Sequence, residues 1–433
     1  MQHSPINATN NRFPAKISEQ IWNMKYRFRD PDTADKDGNV IPGAIHDLSV
    51  EDTWRRIAKD LAKVEKDPEI WEEEFYKALE DFKYLPAGRI TAGAGTARSV
   101  TLFNCFVMGT VPDSMGGIFD MLKEAALTMQ QGGGIGYDFS TIRPKGAPVI
   151  GVGSDASGPL SFMDVWDAMC RTIMSAGSRR GAMMATMRCD HPDVEDFITA
   201  KQDAGRLRMF NLSVLISDPF MAAVKENADW DLVWNGEVIK TVKAAELWDK
   251  IMSATFGYAE PGVIFVDRIN QRNPLRYLET ICATNPCGEQ PLPPYGACLL
   301  GSINLARLIS DPFADTAAMD EDMMEVLVAR AVRMMDNVVD LSFRSIWLLV
   351  LIQVFHSRSC LDRIGLASDG DQAEAGNKAK ANECFSHDFW ILAFCSSYFF
   401  FTIYHFLRHL FRFNPKMLTV SYIYAFPWSF LAI

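Results

Sequence analysis

The chain has 433 residues, 48% hydrophobic and 22% charged, enough for one large barrel or roughly two to three average domains with an ordinary core. Its formal net charge of −11 argues against a sequence-independent grip on nucleic acid, which needs clustered Lys and Arg, and leaves room only for a small local anion site. The nine cysteines are odd in number and scattered, and no apolar run follows Met1-Gln2-His3-Ser4-Pro5, so a reducing cytoplasm is expected instead of a secreted disulfide framework.

Residues 1–84 read as a helical N-terminal region. Apolar residues recur at three-to-four spacing over 53–65 and again over 69–85, with charged faces between them. Ser49, followed by Asp52 and Thr53, supplies a helix start, and the loop 30–42 is charged and carries Pro and Gly. From Leu85-Pro86-Ala87-Gly88-Arg89 the character changes, with glycine clusters at Gly93-Ala94-Gly95, Gly132-Gly133-Gly134-Ile135-Gly136 and Gly151-Val152-Gly153. Short β-like runs at 103–107, 211–216 and 262–266 alternate with helical stretches at 118–131, 161–177 and 244–258. That alternation predicts an α/β architecture over 85–342, and no short-period repeat is present.

A third change comes near Leu341-Ser342, because residues 343–433 hold 20 aromatics in 91 positions against 29 in the preceding 342. Runs such as Tyr398-Phe399-Phe400-Phe401 lack helix or strand patterning. The stretch 389–406 is long enough for a membrane helix, but Asp388, His405 and Arg408 interrupt or flank it. Three readings stay open: a segment foreign to the fold of the first 342 residues, a structured extension, or an anchor. The first is preferred, and no membrane partner is expected.

The residues richest in chemistry are Asn285-Pro286-Cys287-Gly288-Glu289. In an extended backbone Asn285, Cys287 and Glu289 share one face, and Gly288 lets the chain bend so that their tips converge. An amide can orient a hydroxyl, a carboxylate can take its proton, and a thiol can act as nucleophile or radical carrier. On this loop alone a buried, inert Cys287 remains an alternative. Zinc is disfavoured because Cys282, Cys287 and Cys298 lack knuckle spacing and a nearby His, so no metal site is expected. The glycine run 132–136 is neither a P-loop nor a dinucleotide fingerprint, and a tight turn is its plain reading.

The run 284–305 taken with Leu102-Phe103-Asn104-Cys105-Phe106-Val107, 131–136, 169–184 (including Ser178-Arg179-Arg180-Gly181-Ala182), Asn211-Leu212-Ser213-Val214 and Pro261-Gly262-Val263-Ile264-Phe265 resembles ribonucleotide reductase large chains. The resemblance covers about residues 18–342 and is nearest to the adenosylcobalamin-dependent, class II group. It implies a ten-stranded α/β barrel built as two five-stranded halves around a finger loop, of which this chain holds the first part after a helical region. It implies reduction of ribonucleoside diphosphates to 2'-deoxyribonucleoside diphosphates. Cys287 would carry a thiyl radical that takes the 3' hydrogen, Glu289 would accept the 3'-hydroxyl proton, and Asn285 would bond the ribose. Cys105 and Cys298 would be the dithiol that ends as a disulfide, so their Cα atoms must come within roughly 4.4–6.8 Å.

By the same resemblance Gly88, Asn104 and Gly134 would border the substrate, although Gly88-Arg89 stands where the family often has a hydroxyl residue. Asp113, with Ser114, and Arg143 match positions that bind a deoxynucleotide effector, while the family's second arginine falls near Ile150. The first 84 residues do not resemble an ATP-cone, so no overall-activity site is expected. The cofactor implied is adenosylcobalamin, and the partners implied are a ribonucleotide substrate, a dNTP effector, a thioredoxin-like or dithiol reductant and a second copy in a homodimer. After Ser342 the family's phosphate-binding loop and cysteine tail are not recognisable, and Arg363-Ile364-Gly365-Leu366 matches a later segment for only four residues. A truncated, inactive chain that binds nucleotides or dimerises is therefore the alternative. A class I-type chain needing a separate radical-generating subunit is a further one.

Overall fold

The computed structural model of the chain describes residues 12–364, except 14, 36–39, 99, 150, 152, 176–178 and 204. The aromatic runs beyond 364, the stretch 389–406, Ser178 and Ile150 lie outside the described residues. The described chain divides into two units, one reaching to Met335 and the other beginning at Asp336.

The N-terminal region of the first unit is helical, with α1 (Lys16–Lys25), α2 (Val50–Ala62) and α3 (Pro68–Leu79). Ser49 caps α2 in a capping box: its hydroxyl accepts from the Asp52 N–H at 3.4 Å, and the Asp52 carboxylate accepts from the Ser49 N–H at 2.8 Å. The apolar stripe of α2 buries Trp54, Ile57 and Leu61. Buried Asp47 ties this region together by accepting from Arg56 at 2.9 and 3.1 Å, Thr53 Oγ1 at 2.7 Å and the Phe28 N–H at 3.0 Å. Burial works to raise the Asp47 carboxyl, but Arg56, Thr53 and Phe28 outweigh it and hold it below the usual carboxylate range. Arg56 also donates to the carbonyls of Ala94 and Thr91, which fastens α2 to the short α4 (Gly88–Gly93).

A six-stranded sheet follows. In chain order, after the short β1 (Tyr84–Pro86), its strands are β2 (Cys105–Thr110), β3 (Gly134–Asp138), β4 (Met183–Arg188), β5 (Phe210–Ile216), β8 (Gly262–Phe265) and β11 (Gly296–Cys298). The strands β6 (Asp229–Trp234) and β7 (Glu237–Lys243) form a separate hairpin, and β9 (Ala283–Thr284) and β10 (Pro291–Leu292) form another. The spatial order is β8-β5-β4-β3-β2-β11, with the first five parallel and β11 antiparallel to β2. Parallel neighbours need crossovers, and α5 (Met115–Gln130), α6 (Pro159–Thr172) and α9 (Ala244–Tyr258) supply cover for one face. The core between them centres on Tyr137, Phe139, Trp166 and Phe210; Phe139 meets Trp166 edge-on at 5.6 Å. The opposite face carries a small cluster of Cys105, Val107, Ala283, Leu292 and Cys298.

The α/β expectation is met, and 244–258 is helical at both expected bounds. The sequence marks β3 and β4 only by a glycine cluster and a motif, because neither has polar-apolar alternation: both are buried on two faces. The backbone of α11 (Glu321–Ile364) stays helical past residue 342, where loss of patterning was expected. In the first unit, Arg330 pairs with Glu74 and Arg333 with Glu65 at 2.6 Å, which joins the start of α11 to the N-terminal helices. Among the described residues, no helix is long and apolar enough to cross a membrane.

Candidate active site

Strand alternation turns Ile135 and Tyr137 toward the helices and Gly134 and Gly136 toward the opposite face. On that face the missing side chains matter. A Cβ on Gly136 would lie 1.8 Å from the Thr284 carbonyl oxygen, and one on Gly134 would lie 2.7 Å from Pro286 Cγ. The two glycines therefore admit the β9–β10 hairpin, paired Ala283 to Leu292 and Thr284 to Pro291, directly onto the sheet. Two side chains pin it there: Thr186 Oγ1 donates to the Cys282 carbonyl at 3.0 Å, and Asn211 Nδ2 to the Pro286 carbonyl at 2.7 Å.

The loop 285–290 joining those strands is a reversal and not the extended segment expected above. The Gly288 N–H donates to the Asn285 carbonyl at 3.0 Å, with Pro286 second in the turn and Gly288 at φ +84. The face-sharing of Asn285, Cys287 and Glu289 is thus corrected: Asn285 is fully buried, while Cys287 and Glu289 are exposed at the tip. Asn285 holds the loop closed, its Oδ1 accepting from the Gln290 N–H at 3.0 Å.

Beside this loop, Cys105 on β2 stands directly opposite Cys298 on antiparallel β11. Directly opposed residues have Cα atoms about 4.5–5.5 Å apart, inside the range a disulfide needs. Both thiols are free and buried. The hydrogen bond from the Cys298 thiol holds Cys105 below its ordinary value against burial, helped by the Asn285 amide and the Arg89 charge. The same bond, with burial, pushes Cys298 far up. Burial, the Glu289 carboxylate and Cys105 raise the Cys287 thiol, so Cys105 lies within electrostatic reach of Cys287 and Cys298, and Glu289 of all three thiols. Among the described residues, Asn285 Nδ2 lies toward Cys105 without a hydrogen bond of good geometry, and the neighbouring Asn104 Oδ1 is also buried without a partner. This leaves a spare donor and a spare acceptor beside the dithiol.

Asn104 is seated by backbone bonds to Cys298 (3.1 Å) and Gly134 (3.0 Å). Gly88 opens α4 and lines a cavity of about 340 Å³ with Arg89. Sequence reasoning missed Arg89, Gly136, Thr186 and Asn211 as structural contributors to this site. The Gly134-x-Gly136 spacing at strand period was the one available signal. Asp113 and Arg143 sit apart from this group and grip each other, Arg143 Nε donating at 2.9 and 3.1 Å and the Arg143 N–H at 3.1 Å. Ser114 caps α5 through the Gly117 N–H at 3.1 Å. Among the described residues no group of three or more His, Cys, Asp or Glu side chains is placed to hold a metal.

A family model described as ribonucleotide reductase, all-alpha domain, matches residues 47–99, and one described as ribonucleotide reductase, barrel domain, matches residues 103–346. A vitamin B12-dependent ribonucleoside-diphosphate reductase of Mycobacterium tuberculosis (strain CDC 1551 / Oshkosh) is 42% identical over 275 residues, covering 63% of this chain and 39% of the relative. One of the same name from Thermoplasma acidophilum is 39% identical over 269 residues, covering 61% of this chain and 34% of the relative. A ribonucleoside-diphosphate reductase subunit alpha of Chlamydia muridarum is 28% identical over 327 residues, covering 67% and 31%. The chain thus spans about two fifths or less of the length of these relatives.

Proposed function

This chain belongs to the ribonucleotide reductase family, and on that premise we propose that it reduces ribonucleoside diphosphates to 2'-deoxyribonucleoside diphosphates by thiyl-radical chemistry, with adenosylcobalamin as the radical source. The observation that carries the reading is the cross-strand dithiol Cys105–Cys298 lying within electrostatic reach of a third thiol, Cys287, and a carboxylate, Glu289.

The residues fit a cofactor that takes a hydrogen atom from a thiol. Cys287 is exposed at the loop tip, and its raised thiol stays protonated as S–H, the form that can lose a hydrogen atom. Cys287 is the residue that would face the cofactor. When bound, adenosylcobalamin supplies a carbon-centred radical by cobalt–carbon homolysis. The protein's own residues do the rest. The Cys287 thiyl removes the 3' hydrogen of the ribose and Glu289 accepts the 3'-hydroxyl proton; both are returned to the sugar once the 2' position is reduced, which restores the thiyl and the carboxylate. Asn285 Nδ2 and Asn104 Oδ1, both lacking partners among the described residues, can be satisfied by ribose hydroxyls. As the 2'-hydroxyl leaves as water, Cys105 and Cys298 together give up two protons and two electrons and become a disulfide. A dithiol reductant reverses that oxidation. Gly88 and Gly134 are assigned to the substrate's border, and Asp113 and Arg143, once separated, to a dNTP effector at a homodimer's regulatory site.

The test is formation of dCDP from CDP by the full chain with adenosylcobalamin and dithiothreitol. Cys287→Ser should abolish product without changing the unfolding temperature or the oxidation of Cys105 and Cys298. Nucleotide binding with no dCDP from the unaltered chain would sink the reaction and leave the alternative of an inactive nucleotide-binding fragment.

A further inference from the structure

The loop 285–290 owes its shape to bonds within itself, from the Gly288 N–H to the Asn285 carbonyl and from the Gln290 N–H to Asn285 Oδ1, both at 3.0 Å. Its place on the sheet has a different origin. Among the described residues, one hydrogen bond of good geometry runs from the six-stranded sheet to this loop, from Asn211 Nδ2 to the Pro286 carbonyl at 2.7 Å. That carbonyl belongs to the peptide that enters Cys287. Because the peptide is planar and the proline ring fixes φ, holding this oxygen fixes where the Cys287 nitrogen and Cα lie.

Three neighbouring strands build the seat. In register, Gly136 on β3 pairs with Met184 on β4, and Met184 pairs with Asn211 on β5. Gly136 admits Thr284, Met184 sets its Cε 3.7 Å from the place of a Cβ on Gly288, and Asn211 holds Pro286. Asn211 is itself anchored. Lys201 Nζ donates to the Phe210 carbonyl at 2.6 Å and to Glu260 at 2.9 Å, and Glu260 accepts from the Leu212 N–H at 3.3 Å. This ion pair grips the backbone on both sides of Asn211. The core does not depend on the Asn211 side chain, since Phe210 and Leu212 are buried and Asn211 is exposed.

We propose that Asn211 is a positioning residue for the Cys287 sulfur, acting through the Pro286–Cys287 peptide. The inference rests on the radical role given to Cys287 above. Hydrogen-atom transfer needs the reacting atoms within about 3–3.5 Å, so a displacement of about 1 Å costs about 100-fold in rate. The loss falls on kcat and leaves KM for CDP unchanged, because the bond orients the thiol and not the substrate.

The experiment places Asn211→Asp, Asn211→Leu and Asn211→Ala in the full chain and reads two quantities. One is dCDP formation with adenosylcobalamin and dithiothreitol. The other is the rate of bifunctional thiol cross-linking of Cys287 to Cys105, resolved by peptide mass. Asp and Leu keep the shape of the amide without its donor, and the Asp carboxylate also sets acceptor against acceptor. Cross-linking should slow about fivefold in the Leu and Ala variants, the factor for one net hydrogen bond, and further in Asp. In all three kcat should fall about 100-fold with KM unchanged. The control Asn235→Asp, the same change at an exposed position in the turn between β6 and β7, should alter neither quantity. Asn211→Leu serves if the Asp variant does not fold. Cross-linking as fast as in the unaltered chain, a shape-keeping variant that retains full kcat, or a change in KM alone overturns the proposal. Cross-linking needs no turnover, so a chain that makes no dCDP refutes the reductase reading while the cross-linking still decides whether Asn211 places Cys287.

Discussion

Gly136→Ala adds one carbon at a point where the structure has no room for it. The new methyl would sit 1.8 Å from the Thr284 carbonyl oxygen and 3.0 Å from its carbonyl carbon. Those atoms are backbone and cannot swing aside as a side-chain tip does. Ordinary contact needs about 3.5 Å, so the β9–β10 hairpin must lift by roughly 1.5–2 Å. That stretches the bonds from Thr186 to Cys282 (3.0 Å) and from Asn211 to Pro286 (2.7 Å) beyond useful length. Each loss costs about 1 kcal/mol, and forcing a methyl into a packed site costs about 1–3 kcal/mol more. The sum is about 3–5 kcal/mol, or roughly 4–7 °C in unfolding temperature for a unit reaching to Met335, at about 2.1 cal/mol/K per residue. Gly116→Ala is the matched control: nothing lies within 4 Å of its Cβ position on α5, and alanine there should stabilise by about 0.5–1 kcal/mol. Thermal unfolding of both variants reads the energies. Bifunctional thiol cross-linking of Cys287 to Cys105 reads the position of the loop, and should fall in Gly136→Ala. An unchanged unfolding temperature with undiminished cross-linking would refute the seating of the hairpin on the glycine positions.

Two further outcomes follow from the electrostatics. Cys298→Ala removes the donor that holds Cys105 down, so Cys105 alkylation by iodoacetamide should shift to higher pH, while Cys298→Ser keeps a donor and the low-pH reactivity; coincident profiles for the two variants would contradict the assigned bond. Burial pushes Asp138 up to about 6, although Ser140 donates to it through its N–H at 2.9 Å and its hydroxyl at 2.5 Å. The folded state therefore holds a proton that the unfolded chain releases near its ordinary value of about 3.9. Its contribution is complete below about pH 4 and is lost as pH rises through about 6, a decline of about 3 kcal/mol. Asp138→Asn should remove this decline, which unfolding temperatures from pH 4 to 7 would show; parallel curves for the two proteins would count against it.

Much of this was legible in the residues themselves. The capping box at Ser49 and Asp52 and the helix at 244–258 are set by local rules, and each forms where those rules place it. The α/β order follows from the alternation of runs, and the family resemblance brings Cys105 and Cys298 to the same place, where they face each other across two strands. At 285–289 the alternation of polar tips suggests an extended segment bent only at Gly288, whereas Pro286 and Gly288 together make a turn that buries Asn285. Asp113 and Arg143 match effector-binding positions by resemblance alone, and only the folded chain shows that they pair with each other.

What the residues determined alone is therefore whatever depends on neighbours a few positions away: caps, helical stripes, strand alternation and the identity of the reactive side chains. Tertiary structure decided which of those side chains meet. The hairpin reaches the sheet because Gly136 leaves space for Thr284, 148 positions later, and the cavity beside Gly88 exists because 23–31 folds against 88–100. The physical reason is that steric room and the pairing of charges are properties of a place in space. They are produced only when segments distant along the chain are packed into contact, so no local pattern announces them.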